Sequence, residues 1–275
     1  MCAVGDGPES VAHIETYPTT TPGETLARAV EFFRPHGALA ALGVGSFGPI
    51  DPRPGSPTFG SLLATPKPGW QHVDVVHLLE RELGAPVAFD TDVNAAAVGE
   101  SLFGAARGGA NVLYVTVGTG IGAGVVVDGK PVHGRLHPEL GHVRIPHDWA
   151  DDPFAGGCPF HGDCLEGLAS GEAIRKRCGT AAELVADEHV WEREARYLAL
   201  GVINAIMVVS PERIVLGGSV MKHTGLLEAV RRNVGELAAG YPDSLEPLAE
   251  YLVAPGLGDR SGVVGALELA RRLAG

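Results

Sequence analysis

Residues 90–94, Asp-Thr-Asp-Val-Asn, are the clearest place in this sequence for proton chemistry. They follow an apolar run at 87–89 that is typical of a short buried strand, and the alanine-rich sequence behind them predicts a helix over 94–103. A carboxylate at such a junction could accept the proton of an alcohol hydroxyl, and Asp92 is the candidate for this general base. The competing interpretation is that Asp92 caps the helix, a common role for aspartate. Asn94 is likewise either a substrate ligand or a cap.

A second group of reactive side chains combines two cysteines with two histidines. Its members are His142, Cys158, His161 and Cys164. Two thiolates and two imidazoles form the four-ligand set of a closed, structural zinc site, and His147 is an alternative fourth ligand. A closed site would not perform the chemistry, but it would orient the neighbouring acids Glu139 and Glu166 towards a substrate.

A glycine-rich loop at 118–124 follows a predicted strand over 112–117. Its spacing is not that of a dinucleotide-binding motif, because Ala123 occupies the position of the third glycine. The following residues 125–129, Val-Val-Val-Asp-Gly, predict a strand and a hairpin turn where that motif needs a helix. No lysine followed by serine or threonine completes a nucleoside-triphosphate P-loop after a glycine loop.

The glycine loop can still bind phosphate, because Gly118, Thr119 and Gly120 offer backbone N–H groups and a hydroxyl. The alternative is a tight hairpin whose glycines are needed for positive φ angles. A second pair, Gly217 and Gly218, ends a predicted strand over 214–216. Ligands of open α/β sheets gather at the carboxyl ends of strands, although glycine at a strand-to-helix turn also serves geometry alone.

The remaining elements would position these residues. The pattern predicts helices over 23–33, 73–83 and 192–209, helices beginning at 226 and 262, and a strand over 40–45. Thr21 is the expected cap of the first helix. Helices that alternate with strands, together with a hairpin, predict an α/β fold with a mixed sheet and a domain boundary near 107–109.

The overall composition is that of a globular protein, with 275 residues of which 45% are hydrophobic. A net charge of -12 argues against nucleic acid as a partner, because phosphate backbones need clustered lysine and arginine. We expect no membrane span and no signal peptide, and therefore a cytoplasmic protein. The four cysteines do not form a disulfide framework at this chain length.

Taken together, these segments resemble the ROK family (repressors, unclassified reading frames and kinases), and within it the bacterial fructokinases. The most specific matches are residues 45–52, 65–70, 90–97, 139–142 and 158–166, and the likeness runs over almost the whole chain. The resemblance implies a two-domain actin-like ATPase (ribonuclease H-like) fold with a cleft between the domains. The smaller domain would comprise 1–107 plus 260–275, and the larger domain 108–259, with the zinc site.

The resemblance also implies an ATP-dependent transfer of phosphate to a hexose, most often O6 of fructose, with Mg²⁺ on the nucleotide and Asp92 as the base. On the sugar side the resemblance implies Glu139, His142 and Glu166, and it implies that Asn94 helps to order the loop of Asp92. Asn94 and Lys67, the latter in the proline-rich loop at 65–70, are further candidates for substrate binding. Those implied for ATP are Gly118, Thr119 and Gly120 for the phosphates and Gly217 and Gly218 for the adenosine. The zinc ligands would be His142, Cys158, His161 and Cys164. The expected partners are the sugar, ATP and a second copy of the chain in a homodimer, with no nucleic acid and no membrane.

One departure concerns the start of the sequence, which matches the part of the family just after its first strand and first phosphate loop. We expect that the lack of this inner strand would leave backbone groups unpaired and remove contacts to ATP. The alternatives are a glucose or mannose kinase, an impaired family member that only binds sugar, and a non-catalytic interaction protein held together by zinc. A family repressor would need a DNA-binding helix-turn-helix that this sequence does not contain.

Overall fold

The structure, a computed structural model, describes residues 1–245 and 247–275. The strands are β1 (Cys2–Gly7), β2 (Ser10–Glu15), β3 (Leu42–Ser46), β4 (Val87–Thr91), β5 (Val112–Val117), β6 (Ile121–Val127), β7 (Lys130–Pro131), β8 (Arg213–Gly217) and β9 (Leu252–Val253). The helices are α1 (Pro22–Phe33), α2 (Val76–Leu83), α3 (Asp92–Phe103), α4 (Leu165–Ala169), α5 (Gly171–Cys178), α6 (Glu188–Val209), α7 (Leu226–Ala238), α8 (Leu248–Tyr251) and α9 (Ser261–Ala274). Helices and strands therefore alternate, which confirms the predicted α/β class.

The largest sheet has five strands in the order β7-β6-β5-β8-β9. The pairs among β5, β6 and β7 are antiparallel, whereas β8 runs parallel to β5 and β9 parallel to β8. Both faces of β5 are buried: Leu113 and Val115 face a core shared with α6 and α7, whereas Val112 and Tyr114 face α3. Its β-branched and aromatic residues suit such a strand. The sheet is mixed, as predicted.

The N-terminal part contains two smaller pairs of strands and a separate core. Strands β1 and β2 form an antiparallel hairpin, and β3 and β4 form a parallel pair. Apolar residues of α1 and α2 pack beneath these strands, among them Leu26, Val30 and Leu79. In the part of the chain that the structure describes, β1 and β3 do not pair with each other, and a cavity of about 930 Å³ lies between them and α9.

Helix α9 joins the C-terminus to the N-terminal part, because it packs against α3 and β3. Glycines permit this close approach. A β-carbon at Gly265 would lie 1.6 Å from the Ala95 carbonyl oxygen, and one at Gly43 would lie 1.8 Å from the Ala266 carbonyl oxygen. The carboxyl end of β4 and the start of α3 are thereby held in place by packing against α9. These two elements carry the acidic segment at residues 90–94.

No helix within 1–245 or 247–275 has the length and apolar character needed to cross a membrane.

Candidate active site

Asp92 is the first residue of α3, and Thr91 is the residue that caps this helix. The Thr91 hydroxyl accepts a hydrogen bond from the Asn94 backbone N–H at 3.0 Å, and Thr91 has the extended backbone of a cap, with φ -70° and ψ 153°. The interpretation of Asp92 as the cap is therefore wrong. Its carboxylate accepts from the Val93 backbone N–H at 2.9 Å, and no side chain in the described ranges hydrogen-bonds to it.

The surroundings of Asp92 raise its pKa to about 6. Burial among protein atoms is the main cause, and the charge on Glu139 adds to it, whereas the Val93 N–H and the nearby His137 imidazole lower the pKa. Although packed protein surrounds the carboxylate, part of the residue is open to solvent and lines the large cavity. Asp92 is therefore an accessible acid that is ionised at pH 7 and more basic than an ordinary aspartate.

Asn94 is completely buried and holds the segment that carries Asp92. Its amide donates to Asp90 Oδ1 at 2.7 Å, and its Oδ1 accepts from the Val125 backbone N–H at 3.3 Å. The second oxygen of Asp90 lies 3.0 Å from His133 Nε2, and this hydrogen bond raises the pKa of His133. Asn94 is not the helix cap, and the predicted direct contact with a substrate is not supported because its side chain is used internally.

Lys67 lies near Asp92 on a wall of aromatic rings. Its Nζ is 4.5 Å from the centre of the Phe47 ring, which meets the Trp70 ring edge to face at 5.1 Å. Desolvation lowers the pKa of Lys67, and the charge on Asp92 raises it. Trp70 is only 3% exposed and donates its indole N–H to the Thr20 carbonyl, so it belongs to the core and supports the ring beneath Lys67.

Glu139 projects between two imidazoles. Its Oε1 lies 3.4 Å from His137 Nδ1, and its Oε2 lies 4.0 Å from His142 Nε2. Burial raises the pKa of Glu139, the charge on His142 lowers it, and the charge on Glu166 raises it. Sequence reasoning missed His137 and also His133, although both precede Glu139 closely and proximity to a candidate acid was an available signal.

Glu166 lies against the glycine loop between β5 and β6. Its Oε2 accepts from the Ile121 backbone N–H at 3.0 Å, and a β-carbon at Gly120 would come within 2.5 Å of this oxygen. Neither Gly118 nor Gly120 has a positive φ, so the explanation of these glycines by positive φ angles is wrong. Crowding by Glu166 is the reason for glycine at position 120, and Thr119 is exposed at the tip of the loop.

The predicted metal ligands meet in one cluster. One potential ligand atom from each of His142, Cys158, His161 and Cys164 lies within 4.8 Å of all the others. The His142 Nδ1 atom is 3.8 Å from Cys158 Sγ and 3.7 Å from Cys164 Sγ, close to the roughly 3.6 Å that tetrahedral Zn–S and Zn–N bonds would give. The donor set and its spacing therefore fit a zinc ion.

The backbone explains how the ligands meet. Cys158 and Gly162 exchange backbone hydrogen bonds, which closes a tight turn around His161. Cys164 pairs with Arg144, which brings it beside His142. The alternative ligand His147 is turned away, since its Nε2 lies 2.9 Å from the Asp152 carbonyl oxygen and its ring packs on Trp149.

Gly217 and Gly218 line a second cavity of about 420 Å³, a size suited to a small molecule. Gly218 has φ 96°, and a β-carbon there would lie 2.3 Å from the Val117 carbonyl oxygen, so glycine is needed at this position. The opposite walls come from Tyr114 and from the loop before α9. A β-carbon at Gly118 would be 3.7 Å from Ser219 Oγ, so the residue after Gly218 lies beside the glycine loop.

Residues 1–273 match the sequence profile of the ROK family, and the chain belongs to this family. It is 47% identical to the fructokinase of Zymomonas mobilis subsp. mobilis, over 98% of this chain and 92% of that protein. It is 40% identical to the fructokinase of Streptococcus mutans serotype c, over 100% of this chain and 94% of that protein.

Among solved structures, a ROK family glucokinase from Streptomyces griseus in complex with glucose and AMPPNP matches with a TM-score of 0.77 and 26% identity. The alignment covers 98% of this chain and 95% of that one. The predicted family and the predicted actin-like ATPase fold are therefore confirmed.

Proposed function

We propose that this chain is an ATP-dependent sugar kinase that transfers the γ-phosphoryl group of ATP to O6 of fructose. The observation that carries the proposal is Asp92, an accessible carboxylate with a pKa of about 6 in a cavity of a ROK family fold. The identities of 47% and 40% to two fructokinases support fructose over glucose, since the glucokinase with bound glucose is only 26% identical.

In the proposed reaction, Asp92 accepts the proton of the sugar hydroxyl while the oxygen forms a bond to the γ-phosphorus. The bond from that phosphorus to the bridging oxygen breaks, and ADP leaves. The Lys67 ammonium interacts electrostatically with Asp92 and would add positive charge near the transferred group. Bound Mg²⁺ would compensate the charge of the phosphates.

The nucleotide would lie along the two glycine sites. Gly118, Thr119 and Gly120 would face the phosphates, and Gly217 and Gly218 would border the adenosine. The 420 Å³ cavity beside the second pair supports this placement, because Gly218, which lines it, packs against Val117 just before the first loop. The sugar would contact Glu139, His142, Glu166 and Lys67, whereas Asn94 would order the loop of the base.

We also propose that zinc binds to His142, Cys158, His161 and Cys164 as a structural ion. When bound, it would leave the His142 Nε2–H to point at Glu139, as the second nitrogen of a metal-bound histidine commonly does towards a carboxylate. Metal analysis of the purified protein should find about one zinc per chain. Cys158→Ser should lose it, whereas Cys178→Ser, which changes a cysteine outside the cluster, should not. A wild-type protein without zinc would contradict the assignment.

The proposed domains are 1–107 plus 260–275 and 108–259. Two of the cores support this division, because one is built from residues between Cys2 and Phe89 and the other from residues between Leu113 and Leu252. A third core packs α3 against the large sheet and joins the two parts. A cytoplasmic location is proposed with it, since ATP is the phosphoryl donor and the cluster needs reduced cysteines.

The test is an assay of the purified chain with ATP, Mg²⁺ and a panel of hexoses, combined with calorimetric titration of each hexose. Fructose 6-phosphate as the main product is the expected result. Formation of glucose phosphate or mannose phosphate instead would show that this hexose, and not fructose, is the substrate. Fructose binding without formation of any sugar phosphate would indicate the impaired family member that only binds sugar. Neither binding nor turnover with any hexose would overturn the proposed function.

A further inference from the structure

His137 links the carboxylate of Glu139 to the N-terminal part of the molecule. Its Nδ1 lies 3.4 Å from Glu139 Oε1, and its Nε2 lies 3.1 Å from the backbone nitrogen of Ile50, a residue 87 positions earlier in the chain. The imidazole is 4% exposed, although the Glu139 side chain beside it is 46% exposed. The buried His137 ring therefore connects the partly exposed carboxylate of Glu139 to the backbone of Ile50.

The partner at Ile50 determines the protonation of this ring. A backbone N–H can only donate, so His137 Nε2 must accept and cannot carry a proton. The proton of the neutral ring is then on Nδ1, which donates to the Pro138 carbonyl oxygen at 3.3 Å and lies 3.4 Å from Glu139 Oε1. Burial lowers the pKa of His137, which favours this neutral form.

The Ile50 side of the contact is firmly packed. Ile50 is completely buried in the N-terminal core, and its neighbour Pro49 accepts a hydrogen bond from Leu63 N–H at 2.8 Å. The ring also fits closely against Gly48, where a β-carbon would lie 3.1 Å from His137 Cε1. A displacement of this segment would therefore move the imidazole, and with it the donor that faces Glu139.

The two histidines around Glu139 are anchored differently. His142 faces the cysteines of the metal cluster with its Nδ1, at 3.8 Å from Cys158 Sγ and 3.7 Å from Cys164 Sγ, and faces Glu139 with its Nε2. His137 is instead anchored to Ile50. Glu139 thus lies between His142, which belongs to the metal cluster, and His137, which is anchored to the N-terminal core.

We propose that His137 is a positioning residue for sugar binding, which orients Glu139 towards the hydroxyls only while the segment at residues 48–50 is in contact with it. The inference rests on the proposed role of Glu139 as a hydroxyl acceptor. The two histidines border the two oxygens of Glu139, at 3.4 and 4.0 Å, without saturating them, and lone pairs of the carboxylate remain for sugar hydroxyls. Loss of His137 should therefore weaken sugar binding and leave nucleotide binding unchanged.

Two substitutions separate the contributions of the two ring nitrogens of His137. His137→Asn places an amide near the position of Nδ1, which preserves a donor for Glu139 and removes the acceptor for Ile50. His137→Gln places an amide near the position of Nε2, which preserves the acceptor for Ile50 and removes the donor for Glu139. His77→Gln is the control, because His77 is an exposed residue of α2 whose ion-pair partner is Asp74.

The measurement is the Kd of fructose and, separately, of ATP with Mg²⁺, by calorimetry on the intact chain. Each His137 variant should raise the Kd of fructose about tenfold, since the polar contact that positions the Glu139 carboxylate is lost or displaced, with the Kd of ATP changed less than about twofold. The double variant His137→Gln with Glu139→Gln should bind fructose no more weakly than Glu139→Gln alone. Zinc content should be the same as in the wild type, which controls for misfolding.

The outcomes distinguish this proposal from the proposed function. A His137→Gln variant with wild-type fructose affinity, or one whose effect adds fully to that of Glu139→Gln, would overturn the positioning role. If Glu139→Gln itself leaves fructose affinity unchanged, the assigned role of Glu139 in the proposed function is wrong. If both His137 variants also weaken ATP binding tenfold, the residue supports the fold in general and the proposal is equally overturned.

Discussion

Asp51 and Asp92 are two aspartates of the N-terminal part whose surroundings differ completely. The Asp51 carboxylate is inaccessible within its own surface loop, and it accepts from the Arg53 guanidinium at 2.8 and 2.9 Å, from the Ser56 hydroxyl at 2.5 Å and from the Thr58 hydroxyl at 2.7 Å. The Arg53 hydrogen bonds hold the pKa of Asp51 well below its usual range. Asp92 accepts from the Val93 backbone N–H, and burial raises its pKa to about 6.

The difference shows how one residue type is assigned to structure or to chemistry. A carboxylate saturated with donors is a poor base, and its charge stabilises the fold. A carboxylate with few donors keeps a free oxygen for a substrate proton, and its charge destabilises the fold. The following predictions test this contrast, from the largest expected effect to the smallest.

Asp92→Asn should lower the turnover of sugar phosphorylation about 10²- to 10⁴-fold, because an amide cannot accept the hydroxyl proton. Fructose affinity should change little, which can be measured by calorimetry beside the rate assay. Asp74→Asn is the control, because Asp74 is half-exposed and pairs with His77. An unchanged turnover would remove Asp92 from the role of base.

Asp51→Asn should lower the free energy of unfolding at pH 7 by about 1–3 kcal/mol, because the donors around it lose an ionised acceptor. Asp92→Asn should raise the free energy of unfolding, because the substitution removes a charge that the folded state disfavours. Urea denaturation of both variants and the wild type at pH 7 provides the comparison. An Asp92→Asn protein less stable than the wild type would contradict the conclusion that the Asp92 charge destabilises the fold while the Asp51 charge stabilises it.

The pH dependence of these two effects follows from the pKa shifts. The ionised Asp51 stabilises the fold above its unfolded pKa near 3.8, and this contribution is lost as the pH falls below that value towards the folded pKa. The penalty of Asp92 is fully present above about pH 6 and disappears below the unfolded pKa of 3.8. The difference for Asp92 should therefore shrink between about pH 6 and pH 4, and the difference for Asp51 below about pH 4.

The rate should fall on the acidic side, because Asp92 must be ionised to act. With a pKa of about 6, kcat/KM for the sugar should drop roughly tenfold between pH 7 and pH 5. A pH–rate profile at saturating ATP is the measurement. A flat profile down to pH 5 would mean that the reacting base has an ordinary aspartate pKa.

The smallest expected effect is that of the helix cap. Thr91→Ala should lower the free energy of unfolding by about 1 kcal/mol, because the Asn94 N–H loses its acceptor. Comparison with Thr91→Ser, which keeps the hydroxyl, isolates the cap. A Thr91→Ala variant as stable as Thr91→Ser would show that a neighbouring residue, and not Thr91, caps α3.

Much of the fold could be predicted from local pattern. The β-branched run at Val112–Val117 is a strand, and Asp128 and Gly129 form a hairpin turn with φ of 50° and 73°. These predictions succeeded because strand propensity and turn geometry depend on adjacent residues. Helix boundaries were less accurate: α2 begins at Val76 rather than at residue 73, since helix ends depend on caps and packing.

The candidate site was predicted in part. The four cysteine and histidine ligands meet because Cys158 and His161 share one short turn and Cys164, just after it, pairs with Arg144 beside His142. The reason for the glycine at position 120 could not be predicted, because the crowding comes from Glu166, and Asn94 was assigned to a substrate although it is buried against Val125. Both errors concern contacts between residues far apart in the chain.

The sequence by itself determined which residue types are available: an acid next to a helix, two glycine sites and a set of thiols and imidazoles. It also determined the local elements that carry them. Only the tertiary structure decided that Thr91 caps the helix, that Asp92 is left with few donors, and that His137 reaches Ile50. The physical reason is that solvation and hydrogen-bond partners depend on every chain segment packed nearby, and these segments are brought together only by folding.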